Sequence, residues 1–287
     1  MGVQNPNSTS YVHPNEPNIL NIHKAMEYNS NGEPAIRTSG AAGQGTDILA
    51  RIEIANNEVS GYSYINKFGY RELPQSPTAF YPLYSRYDSG DTTKYYDYPT
   101  SATTASVSSS DSNDNGGTVT VSGLDVNYAE VSETITIGQT GTTNFFRVHR
   151  VSMVTVGSGT DTNIGNITVV VNAKDVAYIP AGYGQTLQTI YTVPASKTAY
   201  VFQIDVGSDT KDKPVHVRLR TRDNTVTNVA WQTKAFIVME NNYVSHTQSV
   251  PIVIPEKNDI QLEGNNSSVG GLEVSGGFDL VLKDNPT

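Results

Sequence analysis

From Thr118 onward the chain repeats one pattern: a short run of β-branched, aromatic and alternating polar residues, then a turn. The runs are TVTVSG, AEVSETITIG, NFFRVHRVSMVTVG, NIGNITVVVN, TLQTIYTVP, TAYVFQIDVG, PVHVRLRTR, VAWQTKAFIVME, SVPIVIP, DIQLEG and GFDLVLK. About ten strands with turns roughly every 8–14 residues is the rhythm of a sandwich or barrel. No apolar period of 3.6 persists over about 11 residues, and no helix separates the strands, which excludes a parallel α/β sheet. The predicted fold class is all-β: an antiparallel β-sandwich, jelly-roll-like, with an extended N-terminal arm. In the long third run Phe146 and Val148 point inward, and the phase slips after Arg150 to Val151 and Met153, predicting a bulge. The stretch YIPAGYGQTLQTIYTVPASKTAYVFQI reads as a turn, a strand, a second turn at PASK and another strand, forming a core hairpin.

The composition agrees. Hydrophobic residues make up 37% and charged residues 16% of 287, and Thr, Ser, Asn and Gly fill the difference. That favours strands and turns over helical bundles. The chain contains no cysteine, so disulfides, thiolate metal sites and cysteine nucleophiles are excluded. A formal net charge of −9 is the wrong sign for neutralising phosphates, so no nucleic-acid partner is expected. No basic segment precedes an apolar run at the N-terminus, and no run approaches about 18 apolar residues. Synthesis in a cytoplasm and no membrane partner are the expectation.

Three regions follow. Residues 1–46 are poor in core formers and read as an extended arm that orders against a partner. Residues 47–110 form a tyrosine- and proline-rich irregular segment packing on or between subunits. Between Gly61 and Pro99 this segment holds nine of the 17 tyrosines and four prolines, and proline at that density interrupts regular elements. Residues 111–287 form the sandwich domain.

No motif carries catalysis. AGYGQT lacks the Lys-Ser/Thr of a phosphate loop, and Leu187 stands where a dinucleotide fingerprint needs its third glycine. A turn with positive φ at Gly182 and Gly184 is the better reading. DSNDNGG places Asp111, Asn113, Asn115 and Gly116 as in a calcium loop, but Ser122 replaces the closing glutamate. An Asn-Gly hairpin entry is favoured there. His13, His23, His149, His216 and His246 show no metal-ligand spacing. No cofactor is expected, and the protein is expected to be non-enzymatic. A polysaccharide hydrolase would need a carboxylate pair about 5–9.5 Å apart, which a sequence does not display. Trp231 reads as packing within a strand.

The tyrosines are the informative oddity, because tyrosine offers large rigid contact area with a polar tip. Their rings dock on the protein's own sandwich or on a neighbouring subunit. The candidate contact residues are Tyr62, Tyr64, Tyr81, Tyr84, Tyr87, Tyr95 and Tyr96.

Several segments in order resemble small virion structural proteins of tailed bacteriophages, capsid-associated or decoration-type, of marine and cyanobacterial phages. They are ARIEI…GYSYINKFG (Ala50 to Gly69), VTVSGLDVNYAEVSETITIGQT (Val119 to Thr140), FFRVHRV, TDTNIGNITV, IPAGYGQTLQTIYTVPASKTAYV, IPEKNDIQL and SGGFDLVLKDN. The set spans most of residues 47–285. The resemblance implies a place in a virion and no catalytic residues. The expected function is a virion structural protein that stabilises or decorates the capsid or neck. Its partners would be itself, as a homo-oligomer with a trimer favoured, and other virion proteins such as the major capsid protein. The alternative is a head- or tail-fibre module that recognises host-surface glycan.

Overall fold

A computed structural model describes residues 26–28, 34–36, 52–76, 78–87, 96–158, 161–209, 214–239, 242–267 and 271–286. The chain divides into two compact units, Met1–Ser63 and Tyr64–Thr287.

In the first unit, β1 (Met26–Tyr28) and β2 (Pro34–Ile36) pair antiparallel, Met26 opposite Ile36. The expected arm therefore contains a short hairpin. Residues 52–55 are helical.

The second unit holds two hydrophobic cores. Eight strands build the first lobe: β3 (Tyr62–Leu73), β12 (Ile190–Thr192), β13 (Lys197–Ser208), β14 (Val215–Asp223), β15 (Gln232–Met239), β16 (Tyr243–Ile254), β17 (Asn258–Asn266) and β18 (Leu272–Asp284). One sheet runs β16-β13-β18-β3 and the other β12-β17-β14-β15. Counted along the lobe, these are strands 6-3-8-1 and 2-7-4-5, the interleaving of a jelly roll. β4 (Tyr81–Pro82) extends the edge of β17 beyond β12. Leu73, Val201, Ile204, Val217, Leu219, Leu262, Phe278 and Leu280 fill the space between the sheets.

The second lobe is inserted between the first and second strands of the jelly roll. Its sheets are β11-β10-β5-β8 and β7-β6-β9. The strands are β5 (Thr103–Ser109), β6 (Thr118–Leu124), β7 (Glu130–Thr136), β8 (Thr140–Phe145), β9 (Arg147–Thr155), β10 (Ile167–Val171) and β11 (Lys174–Ile179). Val107, Val119, Val121, Phe145, Val151 and Val169 pack between them.

Several details differ from the sequence reading. The domain limit expected at residue 111 falls after β5 has already entered the inserted lobe. β3, inside the segment expected to be irregular, is a 12-residue strand, because its prolines lie beyond Leu73. Phe145, not Phe146, is the core residue of its run. The stretch from Ile190 to Ile204 is not a hairpin: β12 pairs with β17, whereas β13 pairs with β16 and β18 in the opposite sheet. PASK, with Ser196 at φ 61°, carries the chain across the sandwich. The bulge in β9 is present. Ser122 pairs with Arg150 and Gly123 with Val148, leaving His149 unmatched.

Candidate binding site

The sequence-selected tyrosines separate into different environments. Tyr81, Tyr84 and Tyr96 are 6%, 0% and 5% exposed. They are core residues, which corrects their assignment as partner contacts. Tyr84 and Tyr96 stack edge-to-face at 5.6 Å, and Tyr98 continues the row at 4.7 Å. The Tyr96 hydroxyl donates to the Val176 carbonyl at 3.3 Å, and Arg86 pairs with Asp175 at 2.8 Å. These residues fasten the proline-rich segment to the inserted lobe. Buried rings gain apolar contact and keep one hydroxyl bonded, so the segment docks on its own sandwich. Tyr62 and Tyr64 are 36% and 42% exposed. Tyr87 ends a short 3-10 turn; its side chain and all of Tyr95 lie outside the described residues.

The motif readings resolve similarly. Gly182 and Gly184 have φ of 83° and 66°, and the Gly184 amide donates to the Asn163 side chain at 2.9 Å. AGYGQT is a turn. Asp114 of DSNDNGG is buried and accepts from the Ile164 and Gly165 amides at 2.7 and 2.8 Å and from Ser109. Burial opposes its ionisation, but these donors win and hold its carboxyl below the ordinary range. Among the described residues no cluster of three His, Cys, Asp or Glu could hold a metal ion.

One outer face of the jelly roll is built from β14 and β17. Alternation places Arg218, Arg220 and Arg222 on it, opposite Glu263, Gln261 and Asp259. Arg218 and Arg220 pair with Glu263, and Arg222 with Asp259 at 2.6 Å. Asp259 also receives Arg147 from the inserted lobe at 3.0 Å, so this carboxylate ties the two lobes together. Both carboxylates are 0% exposed. Phe80 lies against Arg218 at 4.1 Å, and Trp231 lies against Arg220 and Arg222 at 4.3 and 4.8 Å. Trp231 sits just ahead of β15, not within a strand, and roofs the cations.

Where the lobes meet, a cleft of about 610 Å³ is lined by Lys67, His149, Arg150, Tyr191 and Glu130 among others. The bulge frees the His149 carbonyl from the strand ladder, and it accepts from Lys67 and from Gln188. The His149 imidazole accepts from the Thr192 amide at 3.2 Å. Burial, then the charges of Lys67 and Arg147, push the imidazole well below its ordinary value. Burial and Arg150 do the same to the Lys67 ammonium.

The opposite outer face, on β3, β13, β16 and β18, carries a trough of about 410 Å³. A second bulge, at Phe202, shifts the phase of β13. Val201 and Ile204 both point inward, and Gln203, Asp205 and Gly207 are turned outward. Asp205 stands opposite Gly277 on one side and Ser245 on the other, with Gln203 opposite Asp279. Asp279 accepts through Oδ1 from the Tyr64 hydroxyl at 2.8 Å and the Asn66 amide at 2.7 Å. Partial burial and this bond push the Tyr64 phenol up to about 12, so it remains a donor. Asp205 accepts from Gln203 at 2.8 Å and from the Tyr243 hydroxyl at 3.2 Å. Tyr243 and Tyr183 rise at the rim, 61% and 59% exposed. None of the sequence-selected tyrosines lines this trough; Tyr64 is tied to it through its bond to Asp279. The juxtaposition of Gln203, Asp205 and Gly207 with Asp279, Gly277 and Ser275 is visible only once the strands are paired.

No family model matches the chain, and no curated protein matches it. Among solved structures it is similar to a chain from the structure of infectious bursal disease virus Gx strain, at 13% identity and a TM-score of 0.24, covering 78% of this chain and 71% of that one.

Proposed function

We propose that this chain is a non-enzymatic structural component of a virion of the tailed-phage type, assembled in the host cytoplasm and working by self-association and by attachment to the capsid or neck. The observation that carries the reading is the jelly-roll strand order with a second sandwich inserted after its first strand. Jelly rolls recur in viral shells, and a fold shared by many functions needs further support. The resemblance of the ordered segments to phage virion proteins adds to it.

The sheet edges add more. Among the described residues β15 and β16 each pair on one side alone, and both are edge strands bearing exposed apolar residues: Phe236 and Val238 on one, Val250 and Val253 on the other. Edges of this kind seek a neighbour unless they are covered. The trimer favoured from the sequence is one way to cover them. Among the sequence-selected tyrosines whose side chains are described, Tyr62 and Tyr64 are the exposed ones. Sedimentation equilibrium of the purified chain is expected to give a single oligomer, with the trimer mass. Binding to pre-formed heads is expected to be lost on deletion of residues 1–46. A monomer that ignores heads would overturn the reading, and undiminished binding by the truncated form would remove the arm from it.

A further inference from the structure

The trough between Asp205 and Asp279 has a lining whose chemistry selects a ligand. Its acceptors are the two carboxylates, and Asp279 Oδ2 is left over from the bonds that Tyr64 and Asn66 make to Oδ1. Neutral donors stand beside them in the Asn66 amide and the Ser275 hydroxyl. The one cation in the lining is Lys67, which is 3% exposed and directed at the His149 carbonyl. An anionic ligand therefore meets two carboxylates and no accessible positive charge.

The shape is built in as well. Gly207 and Gly277 stand at outward positions of β13 and β18. A Cβ on Gly277 would come within 2.4 Å of the Lys67 carbonyl, so no side chain can fill the trough there. A Cβ on Gly207 would crowd Ser275 and approach the Tyr243 ring. The exposed rings of Tyr243 and Tyr183 belong to separate segments of the chain and reach the same opening. Large exposed aromatic surface beside fixed polar groups is the composition of a recognition site.

We infer that this trough binds an uncharged hexopyranose unit, through the rings at its rim and the Asp205 and Asp279 carboxylates at its sides. A pyranose has one apolar C–H face, which packs on an aromatic ring, and an edge of hydroxyls, which donate to carboxylates and accept from amides. Both halves of that surface find their complement here. Tyr64 and Asn66 act as positioning residues, because they fix the Asp279 carboxylate in one orientation. Gln203 and Tyr243 hold Asp205 in the same way. The inference is independent of the assembly proposal. That proposal rests on the jelly-roll order and the sheet edges, and loss of sugar binding would leave head binding unaffected.

The test is saturation-transfer NMR and titration calorimetry on the full chain with glucose, galactose, mannose and N-acetylglucosamine. Sialic acid, glucuronic acid and glucosamine serve as charged comparators. At least one neutral sugar is expected to bind with a dissociation constant on the order of 1 mM. Tyr243→Ala and Asp279→Asn are each expected to weaken it roughly tenfold, with the thermal midpoint unchanged. Tyr64→Phe, which frees the carboxylate without removing it, is expected to weaken it less than Asp279→Asn. Three results would overturn the inference: no neutral sugar bound at 100-fold that concentration, about 100 mM; binding indifferent to both Tyr243→Ala and Asp279→Asn; or preference for an acidic or amino sugar.

Discussion

The two outer faces of the jelly roll are charged in opposite senses and treat their charge in opposite ways. On the β14/β17 face, Arg218, Arg220 and Arg222 meet fully buried Glu263 and Asp259 and are roofed by Phe80 and Trp231. On the β13/β18 face, Asp205 and Asp279 meet tyrosine, asparagine and glutamine, and the rims stay open. A buried carboxylate needs cations or several hydrogen-bond donors aimed at it, because desolvating it alone costs several kcal/mol; Asp259 and Glu263 draw on arginines. A half-exposed carboxylate needs none, since water still solvates it. The first face is therefore internal structure, although it lies on the outside of the sandwich. The second is a surface kept available.

The sharpest way to break this comparison is Asp259→Ala. It strands Arg147 and Arg222 and cuts the tie between the lobes. The expected loss in chemical denaturation is about 3–5 kcal/mol. A loss under about 1 kcal/mol would mean that the face is not internal in the sense argued here.

Trp231→Ala removes the roof and leaves the ion pairs. The expected loss is about 1–2 kcal/mol, with increased solvent exchange at the arginine side chains.

Acid probes the joint between the two lobes. Burial keeps the His149 imidazole neutral in the fold, below the value of about 6.5 that it has in an unfolded chain. The unfolded chain then takes up the proton first, so stability falls as pH drops below about 6.5. His149→Gln keeps an acceptor for the Thr192 amide and should flatten that slope. A slope unchanged in the variant would assign it to other groups.

Asp205→Asn and Asp279→Asn should be the mildest, within about 0.5 kcal/mol of the parent protein. A loss comparable to that of Asp259→Ala would place both faces in one class and end the comparison.

Most of the architecture was legible because alternation is a direct record of a half-buried strand. The inward and outward positions of β10 follow it residue by residue, and those of β6 and β14 follow it up to their last residue. Jelly-roll order was legible only as a class, since strand pairing depends on contacts far apart in sequence. The limits of alternation appear in β17. NDIQLEGNN alternates like a strand with one wet face, yet all nine residues are buried. The second dry face exists because Ser76, Ala79, β4 and the Arg218–Arg222 row lie against it, which no local pattern announces. The bulge at His149 left a phase slip in the sequence and was predicted from it. The bulge at Phe202 sits in a run where both phases are apolar enough to hide the slip, and the trough it creates was hidden too. Tyrosine density pointed to a segment that anchors the fold: Tyr81, Tyr84 and Tyr96 are buried, and Tyr64 meets the trough only through its bond to Asp279.

The central claim is the virion role of a jelly roll that carries an inserted sandwich. The most direct measurement is a cryo-electron microscopy map of phage particles recovered with this chain. Density for the two-lobed unit is expected at the capsid or neck, in copies related by rotational symmetry, with the β15 and β16 edges covered by a neighbour. Particles that are complete and infectious without the chain, or that contain it nowhere, would contradict it.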